Sequence, residues 1–137
     1  MQIMNAIGIS ASGMHAQGDR LRVISENIAN ADTAATAPGE DPYRRKTVLF
    51  KNVLDKEMGA DIVKTGAIAE DMKMPFRLKF MPDHPGADEN GYVKLPNINT
   101  LVEVMDMREA QRSYEANLGM IEIAKSMLGR TLDLLRG

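Results

Sequence analysis

The sequence has no cysteine and no tryptophan, only two histidines, and an aromatic content of 4% in 137 residues. Without cysteine, disulfides and thiolate metal sites are excluded, although the compartment stays open. The histidines are His15, on a helical stretch, and His84, in a proline-flanked loop. Asp83 adjoins His84, but adjacent residues rarely converge on one ion, and no metal-site spacing is present. The sequence therefore places His84 in an exposed loop. P-loop, dinucleotide-binding and nucleophile-elbow patterns are absent, and the carboxylates are scattered as solvated charges normally are. No enzyme, metal or cofactor is expected. An excess of charge is missing too: 17 basic against 19 acidic residues leave a net charge of -2 and no footprint for nucleic acid. No run approaches the roughly 18 apolar residues of a membrane span. The first eighteen residues carry no charge. They lack a basic start and a continuous apolar core, being interrupted by Gln2, Asn5, Ser10, Ser12 and Gln17, so a cleaved secretion signal is not expected.

What the chain does have is methionine, 11 in all, and a hydrophobic fraction of 44%. Flexible Met does much of the filling that aromatic residues do elsewhere, and the length suffices for one domain with a real core. The strongest pattern lies near the C-terminus. Val104, Met107, Gln111, Tyr114, Leu118, Ile121, Lys125, Leu128, Leu132 and Leu135 follow a 3-4 spacing, a coiled-coil seam with Gln111 and Lys125 as polar members. Ala116, Met120, Ile123, Met127, Thr131 and Leu134 make a second stripe about 150° around the helix. One partner helix covers only one of them, so this helix is expected to sit between layers.

Residues 1 to 31 repeat the pattern more weakly. Ile7, Met14, Leu21 and Ile28 fall seven apart, with Ile3, Ser10, Gln17, Ile24 and Ala31 at the second seam position. Gly8, Gly13 and Gly18 interrupt this helix, each at a cost of about 1 kcal/mol against Ala. Such an arm orders only against neighbours, although the glycines are equally compatible with close helix contact.

Between the arms the pattern changes. Asp32 to Asp41 is a small, polar loop punctuated by Pro38-Gly39. Tyr43 to Val53 reads as a strand. Its Arg44-Arg45-Lys46 run is the one basic cluster, expected at a solvated edge because three consecutive cations point to both faces. Ile62 to Thr65 and Ala67 to Glu70 read as two brief strands around Gly66. Phe76 to Phe80 alternates strictly, as a half-buried strand does. Met81 to Gly91 is a loop, and Tyr92 to Leu95 a last extended piece. Thr100 and Glu103 match a capping box, opening a helix to Arg136 on the order of 55 Å long. The fold class is α+β: long N- and C-terminal helices that pair like a coiled coil in an assembly, with a small β-rich insert. The parts are an N-terminal helical arm (1–33), a loop and β-rich insert (34–96), and a long C-terminal helix (97–137).

Several motifs carry a resemblance. Ser12-Gly13-Met14, Ala16-Gln17, Arg20-Leu21 and Asn27-Ile28-Ala29-Asn30-Ala31-Asp32-Thr33 resemble the N-terminal signature of bacterial flagellar rod and hook proteins. Asn97-Ile98-Asn99, Val102-Glu103 and Arg112-Ser113-Tyr114-Glu115-Ala116-Asn117-Leu118 are similar to that family's C-terminal helix. Pro42-Tyr43-Arg44, Val48-Leu49-Phe50 and Asn90-Gly91-Tyr92-Val93-Lys94-Leu95-Pro96 resemble its proximal-rod branch. Val104-Met105-Asp106-Met107 departs from that family's acidic-acidic-Met pattern, so the resemblance implies lattice contacts that differ there in detail.

The resemblance implies a non-enzymatic basal-body subunit, exported unfolded through the flagellar export apparatus without a cleaved signal and polymerised in the periplasmic rod. It implies as partners the chain itself and other rod proteins, the membrane ring at the rod base and the distal rod. The expected assembly residues are Ile7, Met14, Leu21, Ile24, Ile28 and Asn30 on the first arm. On the second they are Val104, Met107, Tyr114, Leu118, Met120, Ile121, Met127, Leu128, Leu132 and Leu135. The residues alone leave an alternative, a cytosolic adaptor whose helices close into a discrete coiled-coil oligomer.

Overall fold

The computed structural model describes residues 2–137, in the order α1 (Gln2–Ala29), β1 (Lys46–Asp55), β2 (Ala60–Glu70), β3 (Arg77–Phe80), β4 (Tyr92–Leu95) and α2 (Thr100–Arg136). The fold is α+β, two long helices flanking small β pairs, as the sequence predicts. Helix α1 runs unbroken for 28 residues despite its glycines, and two of them are explained by packing. A Cβ on Gly8 would lie 2.5 Å from the Met58 methyl, and one on Gly13 would lie 2.8 Å from the Asn117 amide nitrogen. The helix ends where the Asn30 side chain turns back to donate to the Glu26 carbonyl at 2.8 Å.

Strands β1 and β2 pair with each other. Four residues join them, too few for a crossover, so they form an antiparallel hairpin. Asp55 builds the turn by accepting from the Glu57 and Met58 amides, and Gly59 takes φ +64°, which suits a residue without Cβ. In place of two short strands around Gly66 there is one continuous strand. Gly66 is accommodated because the Leu49 carbonyl would lie 2.9 Å from any Cβ there.

Strand β3 pairs antiparallel with β4, Arg77 opposite Leu95 and Phe80 opposite Tyr92. The alternation of β3 was expected to mark a half-buried strand, yet all four of its residues are exposed. The burial belongs to β4, where Val93 and Leu95 enter the core. Leu78 and Phe80 lie on the opposite face, where Phe80 meets Tyr92 edge to face at 5.4 Å.

Helix α2 begins differently from the expected capping box. Asn99 is the cap, its Oδ1 accepting from the amides of Leu101 and Val102. Glu103 does not turn back to the helix start, because its carboxylate is drawn inward by Arg45 and Asn27.

The chain gathers into two compact units. One holds the residues up to Leu21, Leu49–Ala67 and Arg108–Gly137; the other holds Arg22–Val48 and Ile68–Met107. The second has a core of large side chains, with Val23, Ile24, Val93, Leu95 and Ile98 buried around Asn27, Asn97 and Glu103. In the first, the buried positions among the described residues are the small Ser10, Ala16, Ala110 and Ala124. Each buried large apolar side chain is worth roughly 1.5 to 3 kcal/mol, so the hydrophobic stabilisation is concentrated in the second unit.

Candidate functional site

Two asparagines and one ion cluster fasten the second unit together. Asn27, on α1, treats Lys46 as a strand neighbour would. Its Nδ2 donates to the Lys46 carbonyl at 2.8 Å and its Oδ1 accepts the Lys46 amide at 3.0 Å. The same Oδ1 accepts the Tyr43 hydroxyl at 2.8 Å. Asn97 does the equivalent from the segment between β4 and α2, accepting the Arg45 amide at 2.8 Å and donating to the carbonyls of Asp71 and Met74. Between them the Arg45 guanidinium donates through Nε to the buried Glu103 carboxylate and lies 3.6 Å from Asp71 and 3.5 Å from Asp106.

The electrostatics follow from this crowding. Burial works to lower the Arg45 pKa, but the hydrogen bond to Glu103 and the charges of Glu103, Asp106 and Asp71 prevail and raise it. Amides of Lys73 and Met74, with Arg45 beyond them, hold Asp71 below the usual carboxylate range. Burial, then the carboxylates of Glu26, Glu103 and Glu70, push the Tyr43 phenol up.

The basic run Arg44-Arg45-Lys46 is therefore not the solvated edge expected of it. All three residues are half-buried. Arg44 stacks 4.2 Å above the Phe76 ring, and Lys46 pairs with Glu26 at 3.6 Å. The cations serve the fold, because each has carboxylate, carbonyl or ring partners close by. His84 likewise departs from simple loop exposure. It is half-buried, and its Nδ1 accepts the Gly86 amide at 3.0 Å.

In the first unit, polar contacts join α1 to the hairpin. Asn5 donates to the Met58 carbonyl, the Ser12 hydroxyl oxygen accepts the Val63 amide, and Thr65 donates to Asp19 at 2.6 Å. Ser12, Asp19, Val63 and Thr65, with His15, border a groove of about 450 Å³. Ser12, His15 and Asp19 share a helix face but do not form a nucleophile relay. The Ser12 hydroxyl donates to the Ile9 carbonyl at 2.7 Å, while His15 is largely exposed and sits 3.5 Å from Asp19. Among the described residues no group of three or more metal-ligating side chains converges.

The expected assembly residues fall into three groups. Ile24 is buried and Ile7, Met14, Leu21 and Ile28 are half-buried, as are Val104, Met107, Ile121 and Leu128. Met14, Tyr114 and Ile121 line one groove. Asn30 is engaged locally at the end of α1. Tyr114, Leu118, Met120, Met127, Leu132 and Leu135 remain exposed, and so do Ile123 and Leu134. The second stripe of α2 is thus in solvent along its whole length.

The face of α2 that the chain itself covers was not anticipated. It runs Glu103, Ala110, Asn117, Ala124, seven apart, with the last three small or amidic. It lies between the two apolar stripes, and Asn117 on it meets Gly13 of α1. An apolarity count passes over it, because close helix approach selects small side chains.

These features define a class: an α+β protein with a polar tie within its second unit, long helical ends, and apolar helix faces that the single chain leaves uncovered. Residues 7–34 match the family described as flagella basal body rod protein, and residues 89–134 the flagellar basal body rod FlgEFG protein C-terminal family. The flagellar basal-body rod protein FlgC of Agrobacterium fabrum is 48% identical over 128 residues, covering 93% of this chain and 91% of that one. Its counterpart in Salmonella typhimurium is 38% identical over 134 residues, 98% of each. That of Borreliella burgdorferi is 37% identical over 155 residues, 100% of each. The chain belongs to the flagellar basal-body rod protein family.

Proposed function

We propose that this chain is a structural, non-enzymatic subunit of the flagellar basal-body rod, polymerising through its terminal helices into a shaft that transmits torque. The observation that carries the reading is the second stripe of α2. Met120, Ile123, Met127 and Leu134 stand in solvent on one face, an apolar stripe of the kind that marks an interaction surface. Neighbouring helical ends bury that stripe and the exposed part of the first seam, which ends in Leu132 and Leu135. Contacts that are head-to-tail and do not close generate a helical tube.

Its partners are further copies of itself, other rod proteins, the membrane ring at the base and the distal rod. The route to the basal body is the flagellar export apparatus, with no cleaved signal. The thin packing of the first unit suits a subunit that orders its ends as it joins neighbours. The test is deletion of the gene in the source bacterium followed by isolation of basal bodies. Rodless basal bodies, restored by the tagged chain and carrying it, are the expected result; complete rods without it refute the reading.

A further inference from the structure

The chain has no cysteine, so its 11 methionine thioethers are its only sulfur nucleophiles. They are unevenly placed. Met120 and Met127 are 52% and 51% exposed and lie seven residues apart on one face of α2, about 10.5 Å along the helix. Met58 is half-buried beneath α1, with its sulfur 2.9 Å from where a Cβ of Gly8 would stand. Met4, Met72, Met74 and Met105 are more exposed still, at 57%, 71%, 56% and 62%, and Met72 belongs to the segment between β2 and β3.

We propose that Met120 and Met127 form an oxidative modification site, through which peroxide-class oxidants make the free subunit unfit for assembly. The inference rests on the reading of the second stripe as an assembly face. In the step, a sulfur lone pair attacks one oxygen of hydrogen peroxide and the O–O bond breaks. The transferred hydroxyl gives its proton to the departing hydroxide, leaving a sulfoxide and water. Sulfur loses two electrons and the peroxide gains them. The product is polar where the thioether was apolar, and its oxygen is an acceptor that a face built of Ile, Leu and Met leaves unsatisfied once water is excluded. Two such groups a helical heptad apart interrupt the stripe at both ends of Ile123. Assembly buries the same sulfurs, so the vulnerable interval is that of the free subunit. Reduction by a methionine sulfoxide reductase, with thiols as electron donors, restores the face.

The experiment has two arms. In the first, the full chain is exposed to hydrogen peroxide and each methionine followed by peptide mass spectrometry. Met120 and Met127 are expected to oxidise about fivefold or more faster than Met58, because susceptibility follows exposure; equal rates overturn the site. In the second, cells lacking their own copy receive Met120→Leu/Met127→Leu, Met120→Gln/Met127→Gln, Met72→Gln or Ile123→Asp. The Leu pair and Met72→Gln are expected to swim as wild type, and the Gln pair to form about tenfold or more fewer rods, a polar group being costly to bury. A Gln pair that swims normally while Ile123→Asp does not overturns the proposal and leaves the assembly face standing. Normal swimming in both overturns the assembly face itself.

Discussion

The carboxylate of Glu103, buried on α2, accepts a hydrogen bond from Nε of Arg45, 58 residues earlier at the entrance to β1. The Asn27 amide from α1 reaches the other oxygen of the same carboxylate at 3.3 Å. One side chain thereby fixes the register of three elements that the sequence keeps far apart. Glu103→Ala removes the closest partner of Arg45 and one acceptor of Asn27 while Asp71 and Asp106 still face the guanidinium, so it is expected to cost about 2 kcal/mol. Arg45→Met with Glu103→Leu should recover only part of that loss, since Asp71 and Asp106 then lose the guanidinium they face. Urea unfolding of the three chains checks this, and an unchanged midpoint in Glu103→Ala contradicts it.

Acid should loosen the same cluster. Asp71 is held below its unfolded pKa by the Lys73 and Met74 amides and by Arg45. Its contribution is complete above the unfolded value of about 4 and is lost as pH falls through the folded value. A urea midpoint that drops below about pH 4 in the wild type, and drops less in Asp71→Asn, is the expected outcome.

At the alkaline end the sign reverses. Burial and nearby carboxylates raise the folded Tyr43 pKa, so the unfolded chain ionises first and stability falls as pH rises above about 10. Tyr43→Phe should lose the hydrogen bond to Asn27 at neutral pH and part of this alkaline slope. Stability of both chains measured between neutral and strongly alkaline pH separates the two effects.

Two glycines should respond in opposite directions. A Cβ on Gly18 meets open space, so Gly18→Ala is expected to stabilise α1 by about 0.5 to 1 kcal/mol through helix propensity. A Cβ on Gly86 would lie 2.1 Å from the Ala35 carbonyl oxygen. That backbone atom cannot swing aside, and Gly86→Ala is expected to cost about 1 to 3 kcal/mol. Thermal unfolding of both variants checks the pair, and a Gly86→Ala chain as stable as wild type contradicts the packing.

Much of this architecture was legible in the residues. Heptad spacing and loop chemistry located both helices, the Met81 to Gly91 loop and the strand at Tyr92. The rest depended on partners distant in sequence. Thr100-Leu101-Val102-Glu103 has the form of a capping box, but Arg45 competes for Glu103 and Asn99 takes the cap. The alternation of Phe76 to Phe80 reports the pleat of a strand, and whether a layer covers it is decided elsewhere. Arg44, Arg45 and Lys46 looked solvated because the side chains that bind them come from α1, α2 and the segment after β2. The Ala110, Asn117 and Ala124 face was invisible to a search for large apolar residues. Asn27 and Asn97 stood in motifs of family resemblance, yet only geometry shows why an amide, with a donor and an acceptor side by side, is needed there.

On the proposed function, neighbouring subunits sit on the uncovered faces of α2. Electron cryotomography of basal bodies in cells whose own copy is replaced by Leu118→Asp or by Met127→Glu decides this. The purified variants serve as a control for helix content by circular dichroism. Both positions are exposed in the single chain, so folded subunits and no rod are expected in either strain. Rods of normal length in both would contradict it, and a rod in the Met127→Glu strain alone would confine assembly to the first seam.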